Sequence, residues 1–182
     1  ERSDRVGGNW VFGNKSGLSS AYRSLHINTS RDRMAYSDFP MPRDYPDFPH
    51  HTLIARYFEQ YVDHFGFRSH ITFSTSVERV EPLPQHRFAV ELRSLLTDAC
   101  ERREYAAVVV ANGHHSFPRF PEPPFPGTFS GQVLHSHDFV DSQPFVGKRV
   151  LVLGMGNSAM DIAVECSHVA ERVFLAARRG AH

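Results

Sequence analysis

Apolar positions along the chain recur at two different spacings, which separate one helical stretch from several stretches of strand. Between residues 51 and 65 they follow the three-to-four-residue period of an amphipathic helix. The residues of this stripe are Leu53, Ile54, Tyr57, Phe58, Tyr61, Val62 and Phe65. His51 or Thr52 lies near the expected start, and Gly66 suits the position after the last turn. We interpret this helix as a core element.

Alternation at every second residue predicts strands in the region 70–111. The alternating sets are Ile71, Phe73, Thr75 and Val77, followed by Phe88, Val90 and Leu92. Residues 101–105 are polar and lead into a short, continuously apolar run over 106–111, which is typical of a strand buried on both faces. Asn112 and Gly113 then indicate a sharp turn.

Turn-forming residues dominate two further stretches. Residues 21–48 predict an ordered loop with one short helical turn near 31–35. Residues 114–147 are rich in Pro, Phe and Gly, and proline disfavours both helix and central strand. We therefore predict an extended linker between two domains, with one short strand within 129–139.

A glycine turn between a strand and a helix organises the last part of the chain. The mostly apolar run 149–153 is followed by G-x-G-x-x-A at Gly154, Gly156 and Ala159, and then by a helical pattern. Gly154 permits a tight turn, Gly156 lets the backbone approach a pyrophosphate, and Ala159 allows close helix–strand packing. Asn157 and Ser158 complete a helix start whose free N–H groups favour phosphates. The alternative is an ordinary glycine-rich turn without a ligand.

Two arginines point to the dinucleotide that this turn would bind. Residues 173–179 resemble the second strand of the unit, and Arg178 and Arg179 stand where an acidic residue would bind a ribose 2′-hydroxyl. Guanidinium groups suit a 2′-phosphate instead, which favours NADPH over NADH. The alternative is that both arginines are simply solvated at a strand end.

Composition narrows the possible functions. The chain has 182 residues and a formal net charge of +0, so it lacks the basic footprint of nucleic-acid binding. Its two cysteines, Cys100 and Cys166, indicate no disulfide framework, and no segment resembles a signal peptide or a membrane span. These features favour a cytoplasmic protein. Because residue 1 is Glu and the second strand lies close to residue 182, we expect an internal piece of a longer protein.

Several histidines stand close together and raise the question of a metal site. The pairs are His50 with His51, His114 with His115, and His135 with His137. Adjacent histidines do not easily converge on one ion, and no cysteine or carboxylate cluster accompanies them. We therefore expect no metal.

One spaced motif resembles a known family. The pattern F-x-G-x-x-x-H-x-x-x-F at Phe129, Gly131, His135 and Phe139 precedes G-x-G-x-x-A, as it does in the flavin-containing monooxygenases. The related Baeyer–Villiger enzymes carry Trp at the last position of a longer motif, so Phe139 favours the flavin-containing branch. The resemblance implies that His135 ties the linker to the nucleotide domain rather than transferring a proton.

Other segments resemble the same family. Glu1 with Gly7, Gly8 and Trp10 is similar to its E-x(5)-G-G-x-W segment, which implies that the Glu binds the flavin ribose and the glycines lie along FAD. Further matches are residues 25–30, 34–40 and 110–114. Within the first of these, Asn28 matches the family's Asn beside the reactive flavin and bound NADP. Two departures are Val11, where the family often has Arg, and the absence of the first G-x-G-x-x-G, which we expect upstream of Glu1.

The resemblance implies an α/β flavoprotein with two dinucleotide-binding, Rossmann-like domains, present here in part. Residues 1–115 would belong to the FAD domain, 116–147 to the linker and 148–182 to the start of the NADPH domain. The implied activity uses FAD, NADPH and O₂ to oxidise a soft nitrogen or sulfur nucleophile through a flavin hydroperoxide. This piece alone would be inactive. Alternatives are a Baeyer–Villiger or N-hydroxylating flavoprotein and a non-catalytic NADP-binding module.

Overall fold

The computed structural model describes residues 1–180 and divides the chain into two compact units. The first unit contains Glu1–Ser19 and Leu25–Ser116. The second contains the short segment Ser20–Ser24 together with the chain from Phe117 onward. The chain therefore enters the second unit for five residues and returns to the first before leaving it at Ser116.

The first unit contains two helices and three strands. They are α1 (Arg31–Met34), α2 (His51–His64), β1 (Thr75–Leu83), β2 (Arg87–Ser94) and β3 (Cys100–Tyr105). Short 3₁₀ turns occur at Gly8–Trp10, Arg68–His70 and Pro84–His86. The predicted helical turn near 31–35 is confirmed by α1.

Helix α2 confirms the amphipathic pattern. Its first turn is capped by the His50 side chain, which accepts a hydrogen bond from the Thr52 N–H at 3.4 Å. At the other end Gly66 has φ +70°, and the N–H groups of Gly66 and Phe67 donate to the carbonyls of Asp63 and Val62. This is the Schellman arrangement that a glycine after the last turn favours.

The core of the first unit forms around the apolar stripe of α2. Ile54 and Tyr57 are fully buried, and they join residues from the preceding loop. The loop members of this core are Ile27, Met41 and Tyr45. The Tyr57 hydroxyl also donates to the Phe39 carbonyl at 2.5 Å, so the helix fixes a loop that has little regular structure of its own.

The three strands form an antiparallel sheet in the order β1-β2-β3. Strand β1 begins at Thr75, so the alternation predicted from Ile71 is shifted toward the carboxyl end. Every residue of β3 is exposed. Residues 101–105 lie within the region where strands were predicted, and their polar composition suits β3, because charged side chains at the edge of a sheet prevent further pairing.

The apolar run 106–111 forms no strand, contrary to the sequence prediction. Val109 is 88% exposed and Val110 is 78% exposed. A strand that is apolar on both faces requires neighbouring strands and covering layers. Within residues 1–180 no strand pairs with this run, so its composition alone does not make it a strand.

The second unit contains β4 (Arg149–Leu153), α3 (Asn157–Ser167) and β5 (Arg172–Ala176). The two strands are parallel, in register from Arg149 opposite Arg172 to Leu153 opposite Ala176. This confirms the predicted strand–turn–helix–strand order. Short 3₁₀ turns at Ser136–Asp138 and Gln143–Phe145 precede it. The short strand predicted within 129–139 is absent, because the His135 ring accepts the His137 N–H and closes a turn there.

Among residues 1–180, no helix combines the length and apolar character needed to span a bilayer.

Candidate functional site

The turn after β4 has the geometry that its first glycine was predicted to provide. Gly154 has φ +129°, a backbone conformation that residues other than glycine rarely adopt. Its N–H donates to the Ala176 carbonyl at the end of β5 at 2.8 Å. A Cβ at Gly154 would lie 3.7 Å from the Cβ of Ala159, so the turn passes close to the helix.

The amino end of α3 faces open space. Gly156 is the capping residue and has extended dihedral angles, with no side chain bonded to the cap. A Cβ at Gly156 would meet no heavy atom within 4 Å. The N–H groups of Asn157, Ser158 and Ala159 begin the helix, where backbone donors lack partners in the preceding turn. A phosphate can approach this backbone, and the helix dipole would stabilise its charge.

Arg178 and Arg179 follow Ala177, the first residue after β5, and are both exposed. Strand β5 is parallel to β4, so its carboxyl end lies at the same edge of the sheet as the glycine turn. The arginines are therefore at the edge that ligands of open parallel sheets generally occupy.

The first unit positions a second group of predicted residues around the start of α2. Gly7 has φ +118°, and a Cβ there would lie 2.8 Å from Cγ2 of Val11 and 3.7 Å from Cα of Ala55 in α2. The Trp10 carbonyl lies 3.3 Å from Nδ1 of His51, the first residue of that helix. Gly8 adopts φ +50°. The glycines therefore let the backbone turn tightly against α2.

Glu1 and Asn28 have different environments within the first unit. One carboxylate oxygen of Glu1 accepts the Ser3 N–H at 2.7 Å, and its carbonyl accepts the Thr75 N–H at 2.9 Å. Asn28 is exposed and follows Ile27, which is 2% exposed and belongs to the core. The core thus fixes the backbone on which the Asn28 amide is presented.

Each of the two proposed nucleotide sites is contained in one unit. The residues predicted for the flavin lie in the first unit: Glu1, Gly7, Gly8, Trp10 and Asn28. The residues predicted for NADPH lie in the second: Gly154, Gly156, Asn157, Ser158, Ala159, Arg178 and Arg179.

The spaced motif before the glycine turn has one buried member. Phe139 is 1% exposed, and its ring packs edge-on against Tyr22 with 5.8 Å between centroids. Phe129 is 72% exposed, and a Cβ on Gly131 would lie 2.5 Å from its ring. Nδ1 of His135 accepts the His137 N–H at 3.0 Å, which gives this ring a local structural role.

Sequence reasoning did not identify the contact between Tyr22 and Asp161. The Tyr22 hydroxyl donates to Oδ2 of Asp161 on α3, although the two residues are 139 positions apart. Burial raises the pKa of Tyr22, and the hydrogen bond to the Asp161 carboxylate raises this pKa further. No periodicity or motif signals this pair, because Tyr22 lies in a loop and Asp161 resembles an ordinary helix-surface residue.

Strand, glycine turn, helix and parallel strand define the second unit as a Rossmann-like α/β element. The family model described as "FMO-like: Flavin-binding monooxygenase-like" matches residues 1–182. The chain belongs to this flavin-binding monooxygenase-like family.

Individual relatives are longer than this chain. It is 41% identical to Flavin-containing monooxygenase 5 of Oryctolagus cuniculus, covering 100% of this chain and 35% of the relative. It is 39% identical to Dimethylaniline monooxygenase [N-oxide-forming] 2 of Macaca mulatta, covering 99% of this chain and 35% of the relative. Among solved structures, S-allyl-L-cysteine S-oxygenase from Allium sativum superposes with a TM-score of 0.89 at 26% identity. The match covers 100% of this chain and 45% of that structure. The chain thus spans about a third of the length of the curated relatives it matches.

Proposed function

We propose that this chain is the part of an FAD- and NADPH-dependent monooxygenase that binds NADPH through its second unit and one side of the flavin through its first. The open amino end of α3 at Gly156 is the observation that carries the proposal. The positive φ of Gly154 and the position of this turn between β4 and α3 support the same proposal.

In the NADPH site, the N–H groups of Asn157, Ser158 and Ala159 would bind the pyrophosphate, with Gly154 and Gly156 leaving room for it. Arg178 and Arg179 would bind the 2′-phosphate, where two positive charges favour the phosphorylated dinucleotide. These residues bind and orient the dinucleotide, and none of them has to transfer a proton.

In the flavin site, Glu1 would bind the ribose, and Gly7, Gly8 and Trp10 would lie along FAD. Glu1 retains a second carboxylate oxygen beside the one that accepts the Ser3 N–H, and an ionised carboxylate has several acceptor positions. Asn28 would donate or accept a hydrogen bond beside the flavin and the bound dinucleotide. We assign residues 1–115 to the FAD domain, 116–147 to the linker and 148–182 to the start of the NADPH domain.

When bound, FAD supplies the redox and oxygen chemistry, while the protein binds, orients and excludes water. We propose a soft nitrogen or sulfur nucleophile as substrate. The names of two similar proteins, an N-oxide-forming monooxygenase and an S-oxygenase, support this class. No acid–base pair is required of this chain for such a reaction.

Product analysis of the complete protein tests the proposal. The protein is reconstituted with FAD and supplied with NADPH, O₂ and, in separate reactions, a thioether, a primary amine and a ketone. We expect sulfoxide or N-oxygenated product with NADPH consumption. An ester or lactone as the main product would support a Baeyer–Villiger enzyme instead. A protein that binds NADPH but cannot be reconstituted with FAD would support a non-catalytic module.

A further inference from the structure

The segment Ser20–Ser24 belongs to the second unit, together with the chain from Phe117 onward. Its residues Ala21 and Tyr22 are 8% and 6% exposed. The N–H of Arg23 donates to the Val140 carbonyl at 2.9 Å, which fixes the backbone of the segment beside the end of the spaced motif. The backbone is therefore fixed at the residue after Tyr22, while the Tyr22 ring packs against Phe139.

The position of Asp161 connects this segment to the proposed NADPH site. Asp161 is the fifth residue of α3, one helical turn beyond the amino end that would bind the pyrophosphate. Helix α3 is fixed near its start by the approach of Ala159 to Gly154 and one turn later by the hydrogen bond from Tyr22. Both contacts lie within the first two turns of the helix, close to the N–H groups that would meet the pyrophosphate.

The charge of Asp161 gives the hydrogen bond a second effect. A helix rises about 1.5 Å per residue, so Asp161 lies about 6 Å along the axis from Asn157, where the phosphate would bind. Like charges at that distance repel each other, most strongly where water is partly excluded. A hydroxyl donor holds the carboxylate in one place and offsets part of its charge.

We propose that Tyr22 is a positioning residue for the dinucleotide site, acting through Asp161 on the amino end of α3. This inference rests on the proposed function, because it assumes that NADPH binds at the glycine turn. Tyr22 does not need to contact the dinucleotide. It belongs to the same unit as the site, although it precedes the glycine turn by more than a hundred residues.

The test uses Tyr22→Phe in the complete protein, with NADPH and NADH dissociation constants measured from the saturation of anaerobic flavin reduction. We expect NADPH affinity to fall about tenfold, as for the loss of a hydrogen bond to a charged group. NADH affinity should fall by the same factor, because the affected pyrophosphate is common to both. The limiting rate of flavin reduction at saturation should remain within twofold of wild type, since Tyr22 is not at the reacting atoms.

Asp161→Asn and the double variant distinguish positioning from a general loss of stability. The amide oxygen of the introduced asparagine can still accept the Tyr22 hydroxyl, while the charge that repels the phosphate is removed, so Asp161→Asn should bind NADPH more tightly than wild type and is the reference for the double variant. The double variant should lose only about threefold, because no unpaired charge remains. If Tyr22→Phe does not fold, the double variant is compared with Asp161→Asn, which differs from it only in the hydroxyl at position 22. Equal affinity of those two proteins would overturn the inference.

Arg23→Gln is the matched control from the same segment. It removes the ion pair between Nε of Arg23 and Oδ2 of Asp141, 3.2 Å apart, in which the arginine is largely exposed. Such pairs contribute little, so the affinity for NADPH should not change. If wild type binds no NADPH, the proposed function fails. If wild type binds NADPH and Tyr22→Phe binds it equally well, whether or not its melting temperature falls, the proposed function stands and the role of Tyr22 is wrong.

Discussion

The Gly154 N–H donates to the Ala176 carbonyl at 2.8 Å, so the glycine turn is tied directly to the end of β5. The positive φ of Gly154 and the open space at Gly156 are therefore features of one turn with two separable tasks. Gly154 shapes the turn, whereas Gly156 keeps the helix end accessible.

Because of these two tasks, substitution by alanine should lower stability at Gly154 and weaken NADPH binding at Gly156. Gly154→Ala should destabilise the protein by roughly 1–3 kcal/mol, the usual cost of a non-glycine residue in a disfavoured backbone conformation. Gly156→Ala should leave stability unchanged, since its dihedral angles are ordinary and its Cβ would contact nothing. It should nevertheless weaken NADPH binding, because the Cβ occupies the approach to the backbone. Thermal unfolding and NADPH titration of both variants provide the measurement.

The exposed arginines after β5 predict a change in dinucleotide preference. Replacing both Arg178 and Arg179 by alanine should weaken NADPH binding at least about tenfold while changing NADH binding much less, because charge-assisted bonds to the 2′-phosphate are lost. Arg172→Ala is the control, since that guanidinium lies over the Phe174 ring at 6.0 Å. Equal losses for NADPH and NADH in the double variant would count against 2′-phosphate recognition.

The contact between Gly7 and Val11 predicts a rescue experiment. Gly7→Ala should lower the free energy of unfolding by roughly 1–3 kcal/mol, because φ is +118° and the new Cβ would meet Cγ2 of Val11 at 2.8 Å. Adding Val11→Ala removes the steric contact but not the backbone strain, so it should restore only part of the loss. Urea unfolding of the two single variants and the double variant measures both components. Full restoration would show that the backbone conformation carries no cost.

The ion pair between Arg68 and Asp63 at the end of α2 predicts a dependence of stability on pH. Nε of Arg68 lies 2.6 Å from Oδ1 of Asp63, and this hydrogen bond lowers the pKa of the Asp63 carboxyl below its ordinary value of 3.8. Because the folded pKa is depressed, the contribution is present above pH 3.8 and is lost as pH falls through the folded pKa.

The measurement compares melting temperatures of wild type and Arg68→Gln across this range, with Glu59→Gln beside them because Arg68 also donates to the Glu59 carboxylate. We expect a difference at pH 7 that shrinks below about pH 4, where the carboxyl becomes protonated. Arg87→Gln removes an exposed pair with Glu104 and is the control for a general charge effect. A difference between wild type and Arg68→Gln that stays constant down to pH 2 would exclude the Asp63 carboxylate as its source.

Local patterns predicted the elements that form from neighbouring residues. The stripe of α2 and its terminal glycine specify a helix on their own, and β4, the glycine turn and α3 follow from an apolar run and a helix period. The prediction of a buried strand at 106–111 was wrong, because such a strand requires neighbouring strands that residues 1–180 do not supply. The polar composition of 101–105 gave no apolar alternation from which the bounds of β3 could be predicted, because an edge strand is exposed on both faces.

The residues of the candidate site also differ in whether a local sequence pattern identifies them. Gly154, Gly156 and Ala159 were identified because a turn imposes a fixed local spacing on them. The pair of Tyr22 and Asp161 could not be identified, since only the folded chain brings these residues together and neither occupies a recognisable motif.

The five residues Ser20–Ser24 make the second unit discontinuous along the chain. Its sequence motif starts well after residue 100, but one of its buried residues is Tyr22. A protein piece that begins at Phe117 would retain every recognisable feature of the nucleotide site and lose the hydroxyl that Asp161 accepts. Domain exchange between relatives at that boundary would likewise pair each α3 with a foreign loop, so compatibility at position 22 becomes a condition for a functional chimera.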